Sequence, residues 1–211
     1  MKNLVILISG GGSNMEAIIR TSQAQDWSAR YGARVVAVIS NRAAARGLEV
    51  ARRLGVATDV VEHRDYPTRE AFEARLLERI TYHAGPGSPA LLVLAGFMRV
   101  LTQSFVECFP GRLVNIHPSL LPAFAGLHTH RRTLLAGCKF AGATVHLVTA
   151  DLDNGPILAQ AVVPVLDEDT EQVLAARVLT QEHLIYPQAI AALLAREVTW
   201  DNRLDASKGP A

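Results

Sequence analysis

The chain has 211 residues, 49% of them hydrophobic and 19% charged, with a formal net charge of +1, which suits a soluble globular fold of one large domain or two small ones. So balanced a charge excludes a general nucleic-acid or anionic-membrane binder and leaves only a local anion site open. Cys108 and Cys138 have neither the number of a disulfide framework nor the spacing of a metal site. No apolar run reaches the roughly 20 residues that span a bilayer and no signal-peptide pattern follows Lys2, so a cytoplasmic protein with reduced thiols is expected.

In chain order, residues 4–9, 34–40, 58–62 and 91–95 are short runs rich in Val, Ile and Leu, as strands covered on both faces should be. Residues 14–22, 43–54 and 68–82 between them carry apolar residues at helical spacing. Phe72, Leu76 and Ile80 form one stripe, with Glu70, Glu73 and Arg79 elsewhere. Thr68 ahead of Glu70 and Glu73 marks a helix start, and Gly55 after Arg52 and Arg53 marks a stop. This alternation predicts a doubly wound, mostly parallel α/β sheet with right-handed crossovers. Residues 143–148 and 157–165, joined by the polar loop 149–156, predict a hairpin-like antiparallel extension. A final helix over 171–195 is expected to be interrupted at Pro187, with a frayed tail over 201–211.

Three polar clusters could carry chemistry. Ser9-Gly10-Gly11-Gly12-Ser13-Asn14 follows the first strand and opens a helix, where close backbone approach and the helix N-terminus favour an anion. Ser13 with Glu16 also fits a capping box, a purely structural reading. Met15 stands where G-x-G-x-x-G needs its third glycine, no Gly-Lys-Ser/Thr follows, and Ser40-Asn41-Arg42 lacks the acid that would hold an NAD ribose. A phosphate monoester is therefore favoured over a dinucleotide.

The second cluster sits in Leu113-Val114-Asn115-Ile116-His117-Pro118, whose alternation puts Asn115 and His117 on one face of a strand that Pro118 ends. With the loop acid Asp153, this set suits oxyanion stabilisation and proton transfer; a capped strand end with a satisfied histidine fits equally. No nucleophile-elbow Ser or Cys accompanies it. The third cluster, His128, His130 and His146, has an H-x-H too weak to argue for a metal. His128 and Thr129 read as loop residues, and His146 as facing a packed or ligand-lined side of its strand.

Read in order, residues 8–14, 94–101 (Leu-Ala-Gly-Phe-Met-Arg-Val-Leu), 115–122 (Asn-Ile-His-Pro-Ser-Leu-Leu-Pro), 126–130 (Gly-Leu-His-Thr-His) and 180–183 (Thr-Gln-Glu-His) resemble the phosphoribosylglycinamide formyltransferase family, over about residues 4–200. The resemblance implies a single formyltransferase domain over 1–200 with a Rossmann-like fold. It implies formyl transfer from 10-formyltetrahydrofolate, as co-substrate and without a metal, to the amine of glycinamide ribonucleotide. On that basis Gly12, Ser13 and Asn14 hold the substrate phosphate by their backbone, and Glu182 contacts the glycinamide. Arg69, Met98, Arg99, Val100, Leu101, Asn115, Asp151 and Asn154 bind folate, and Asn115, His117 and Asp153 are catalytic. Small-molecule partners are implied, with no nucleic acid or membrane, and a homodimer is left open. Ala125, Ala141 and Leu179 depart from common family residues. Two other readings remain. A 10-formyltetrahydrofolate hydrolase is expected to carry an N-terminal regulatory domain for which a first strand at Leu4 leaves no room. A non-catalytic phosphate-ligand module explains the glycines but not the second cluster. Initiator-tRNA formyltransferases carry a further C-terminal domain, for which the segment after Trp200 is too short.

Overall fold

The computed structural model describes residues 1–85 and 87–196; the expected tail at 201–211 lies outside them. Seven strands form one sheet in the order β3-β2-β1-β4-β5-β6-β7. β1 (Lys2–Ile8), β2 (Ala33–Ser40), β3 (Ala57–Val60), β4 (Ala90–Leu94) and β5 (Leu113–His117) run parallel. β6 (Phe140–Leu147) and β7 (Ile157–Pro164) continue the sheet antiparallel, the extension expected from their linking loop. The helices are α1 (Ser13–Ala24), α2 (Trp27–Tyr31), α3 (Arg46–Arg53), α4 (Arg69–Ala84), α5 (Gln103–Glu107), α6 (Thr129–Leu135) and α7 (Glu171–Ala195).

The period-2 geometry of a strand sends alternate side chains to opposite layers. On β1, Leu4, Ile6 and Ile8 join a core with Ile18 and Ile19 of α1, Leu48 of α3 and Leu174, Val178 and Ile190 of α7. Val5 and Leu7 join the other core with Phe72, Leu76 and Ile80 of α4 and Phe105 of α5. β1 is thus apolar from Leu4 to Ile8 because both faces of that stretch are dry. Its neighbours β2 and β4 follow in opposite directions along the sheet, which opens the crevice beyond the carboxyl ends of β1 and β4 where such folds bind ligands.

Several local expectations are corrected. α7 runs unbroken through Pro187; the ring is buried, and that burial offsets the backbone hydrogen bond the proline cannot make. Glu73, off the apolar stripe of α4, is nonetheless buried, because its carboxylate accepts the backbone N–H of Thr102 at 2.8 Å and also the Thr102 hydroxyl. α2, α5 and α6 were not foreseen. Their five to seven residues are too few for a periodic signal, and α2 and α5 rest instead on side-chain caps from Asp26 and Thr102. Thr129 accordingly opens a helix, with His128 as its N-cap, instead of lying in a loop. The Ser13 capping box does not form: Gly12 is the N-cap of α1, at φ 73°, with no side-chain cap hydrogen bond, and Glu16 pairs with Arg20 at 2.7 Å.

Candidate active site

The site gathers the ends of β1, β2, β4 and β5, His146 of β6, and helices α1 and α7. The turn after β1 forms a cleft lined by Ser9, Gly10, Gly11, Gly12, Ser13 and Asn14, closed on its far side by Arg42, Ala95, Gly96 and Met98. Gly12 needs its left-handed φ, and a side chain there would meet Met15 and the Gly47 backbone. Without a side-chain cap, the first N–H groups of α1 remain open to an anion, in the favourable field of the helix dipole.

Asn14 belongs to this loop in a way its backbone does not reveal. Its buried Nδ2 donates to Glu182 Oε2 at 2.6 Å, tying α1 to α7, while its Oδ1 is buried without a partner. Burial raises the Glu182 carboxyl above its ordinary value, with the Asn14 hydrogen bond and the charges of His183 and His117 opposing that rise. The expected substrate residues Gly12, Ser13, Asn14 and Glu182 are therefore brought together.

The second centre lies at the end of β5. His117 is 7% exposed, with Nδ1 3.3 Å from Asp153 Oδ2 and Nε2 3.1 Å from the Phe124 carbonyl oxygen. Both neighbours are acceptors, so a ring protonated on both nitrogens donates to each. Asp153 takes φ 50°, a conformation uncommon outside glycine. Its carboxylate is held there by the Gly126 N–H at 2.9 Å and by His117, with His146 Nε2 at 3.8 Å from its other oxygen.

Asn115 pairs in register with His146 of β6. The His146 Nδ1 lies 2.9 Å from the Leu147 carbonyl oxygen, which places the ring proton on Nδ1. Nε2 then accepts from Asn115 Nδ2 at 3.2 Å. Burial lowers the pKa of His146 against the Leu147 hydrogen bond and the Asp153 charge, which keeps the ring neutral as an acceptor must be. The second N–H of Asn115 has no partner among the described residues and is available to a ligand oxygen. His146 was expected on a packed or ligand-lined side; its grip on Asn115 was missed, since only cross-strand register shows it.

Met98 and Val100 are 71% and 58% exposed although apolar. They lie in a segment pinned at both ends, by Met98 N–H donating to Ser9 Oγ at 2.8 Å and by the Glu73–Thr102 cap. Arg99 is half-buried, and Leu101 packs on the α4 core. Arg69 is exposed one helical turn before Glu73, on the helix that anchors this segment. Asp151 and Asn154 are exposed in the loop that carries Asp153. No hydrogen bond joins Arg69, Asp151 or Asn154 side chains to the centre among the described residues. Nor does any group of three His, Cys, Asp or Glu there have metal-holding geometry.

An anion-favouring turn, an amide, and an imidazole backed by a carboxylate, with no serine or cysteine hydrogen-bonded to that imidazole among the described residues, form the kind of site that suits an enzyme acting on a carbonyl without a covalent intermediate. Comparison with known proteins narrows that class. The Formyl transferase family model matches residues 2–190. The chain is 48% identical to Phosphoribosylglycinamide formyltransferase of Escherichia coli (strain K12) over 189 residues, covering 90% of this chain and 85% of that protein. It is 43% identical to Trifunctional purine biosynthetic protein adenosine-3 of Drosophila pseudoobscura pseudoobscura, spanning 91% of this chain but 14% of that longer protein. The crystal structure of phosphoribosylglycinamide formyltransferase from Brucella melitensis superposes with a TM-score of 0.83 at 50% identity, covering 93% of this chain and 97% of that one. The chain belongs to the formyl transferase family.

Proposed function

We propose that this chain transfers the formyl group of 10-formyltetrahydrofolate to the amine of glycinamide ribonucleotide. The observation that carries the reading is the Asn115/His117/Asp153 centre, with its free Asn115 N–H, beside the anion cradle of α1. The phosphate sits on the Gly12–Asn14 backbone and the glycinamide reaches past Glu182. The exposed Met98 and Val100 supply an apolar wall for the pterin, completed by Leu101 and the 151–154 loop, with Arg69 and Arg99 available to the acidic tail of the folate.

The substrate amine attacks the formyl carbon, forming the new C–N bond and placing negative charge on the formyl oxygen. Asn115 donates to that oxygen, and His117 joins it by turning its Nε2 N–H from the Phe124 carbonyl to the oxyanion, while Asp153 on Nδ1 keeps the ring oriented and charge-balanced. As the tetrahedral intermediate collapses, the bond from carbon to folate N10 breaks. N10 takes a proton, and the former amine nitrogen releases one through water near His117 and Asp153. Losing an oxyanion donor costs on the order of 10²–10³ in kcat, so Asn115→Ala and His117→Ala should each lose at least that much while remaining folded.

A single assay separates the alternatives: folate turnover by the protein given 10-formyltetrahydrofolate with and without glycinamide ribonucleotide. Turnover that requires the amine supports the transferase. Turnover without it would make water the acceptor and the chain a hydrolase. No turnover in either arm would leave a phosphate-ligand binder and overturn the reading.

A further inference from the structure

The cleft after β1 contains a cation that the backbone cradle does not account for. Among the described residues that line it, Arg42 alone is cationic. No carboxylate lies within ion-pair distance of Arg42 among the described residues. Glu62, which accepts from the neighbouring Ala43 N–H at 3.1 Å, is already engaged, lying 3.2 Å from His63.

The Arg42 backbone, by contrast, is fixed. The Ser40 hydroxyl accepts from Arg42 N–H at 3.1 Å and donates to the Arg42 carbonyl at 2.9 Å, and that carbonyl also accepts from Ala45 N–H at 3.1 Å. The preceding residue is tied to the cradle itself, because Ser9 Oγ donates to Asn41 Oδ1 at 2.6 Å. An exposed guanidinium is thus mounted on a rigid turn at the mouth of the anion site. Asn14, which lines the same cleft, keeps its Oδ1 buried without a partner among the described residues, an acceptor that the protein leaves unsatisfied beside the anion site.

We propose that Arg42 is the side-chain cation of the substrate-phosphate site and sets the preference for a phosphomonoester over the same substrate without its phosphate. The proposal rests on the formyl-transfer reading given above. Backbone N–H groups and a helix dipole offer about half a unit of positive charge. A phosphate monoester carries about −1.5 to −2 near neutral pH, so the cradle alone leaves most of that charge unbalanced. The planar guanidinium fork suits two phosphate oxygens at once, and its exposure keeps the gain modest.

The test compares kcat/KM for glycinamide ribonucleotide and for glycinamide riboside, which lacks the phosphate, in wild type, Arg42→Gln and Arg42→Lys at fixed ionic strength. Wild type should prefer the nucleotide. In Arg42→Gln the preference ratio should fall about tenfold, through KM for the nucleotide rather than kcat, as for lost uniform binding. Arg42→Lys should recover part of the ratio, since it keeps the charge and loses the fork. Equal losses on both substrates, or a ratio that moves less than twofold, would overturn the role of Arg42. A wild type with no preference at all would overturn the phosphate-site reading beneath it, a result distinguishable because it appears before any substitution.

Discussion

Tyr186 offers a measurable link between the long C-terminal helix and the strands that carry the site. Its side chain is fully buried, and its hydroxyl lies 2.9 Å from the Leu94 carbonyl and 3.0 Å from the Val114 carbonyl. One donor therefore sits between the end of β4 and the residue before Asn115. Tyr186→Phe keeps the ring and its packing and removes only that donor. A buried hydrogen bond is worth about 1 kcal/mol net, and leaving a buried polar group unpaired costs about 1–3 kcal/mol. Two carbonyls share the loss, so a destabilisation of about 2 kcal/mol is expected. For a chain of this size that corresponds to a fall in Tm of roughly 4–8 °C. Urea unfolding followed by circular dichroism, with a parallel thermal scan, reads both quantities. A change under about 0.5 kcal/mol, the size of an ordinary surface substitution, would refute the view that this hydroxyl braces the two strands.

Two further outcomes follow from the site. Burial raises the Glu182 carboxyl above its ordinary 4.5, so its contribution to stability is fully present below about that value and is lost as pH rises through the folded-state pKa. Glu182→Gln should then be more stable than wild type at neutral pH, by on the order of 1 kcal/mol, with the gap closing toward pH 4; chemical denaturation across that range checks it, and a pH-independent difference would count against it. His146→Leu removes the acceptor that orients Asn115. Its kcat should fall by roughly fivefold or more, the worth of one hydrogen bond, but by less than the loss in Asn115→Ala. KM for the nucleotide should hold and His146→Gln should restore part of the rate; a kcat equal to wild type would remove His146 from the site.

The parallel core was readable because its signal is local and repeated: the unbroken apolar run of β1 and the Phe72/Leu76/Ile80 stripe each report a dry face directly. Asn115 and His117 were legible for the same reason, as polar residues at two-residue spacing where an apolar strand ends. What escaped depends on partners far along the chain. Glu73 lies off the apolar stripe of α4, and its reason for burial is Thr102; His146 reads as facing a packed or ligand-lined side, and its tie to Asn115 shows only in the cross-strand register. The Ser13-Glu16 pattern pointed to a capping box, but Gly12 enters α1 in a left-handed conformation and Arg20 takes Glu16. Pro187 misled in the opposite direction, since a helix-breaking penalty of about 3 kcal/mol is a local quantity and the burial that offsets it is not.

α7 also has a bearing on when the enzyme comes into being. It lays Leu174, Val178, Tyr186, Ile190 and Leu194 over the face of the sheet that includes β1, and Lys2 Nζ donates to the Leu194 carbonyl at 2.6 Å across 192 positions of chain. β1 is thus closed over by α7, which also carries Glu182 into the cleft. Until α7 has been made, one side of β1 stays wet, whatever hairpin and local helices have formed before it. Activity should consequently appear in one step once α7 is in place, and the sheet without that helix is the stage at which a chaperone has most to cover.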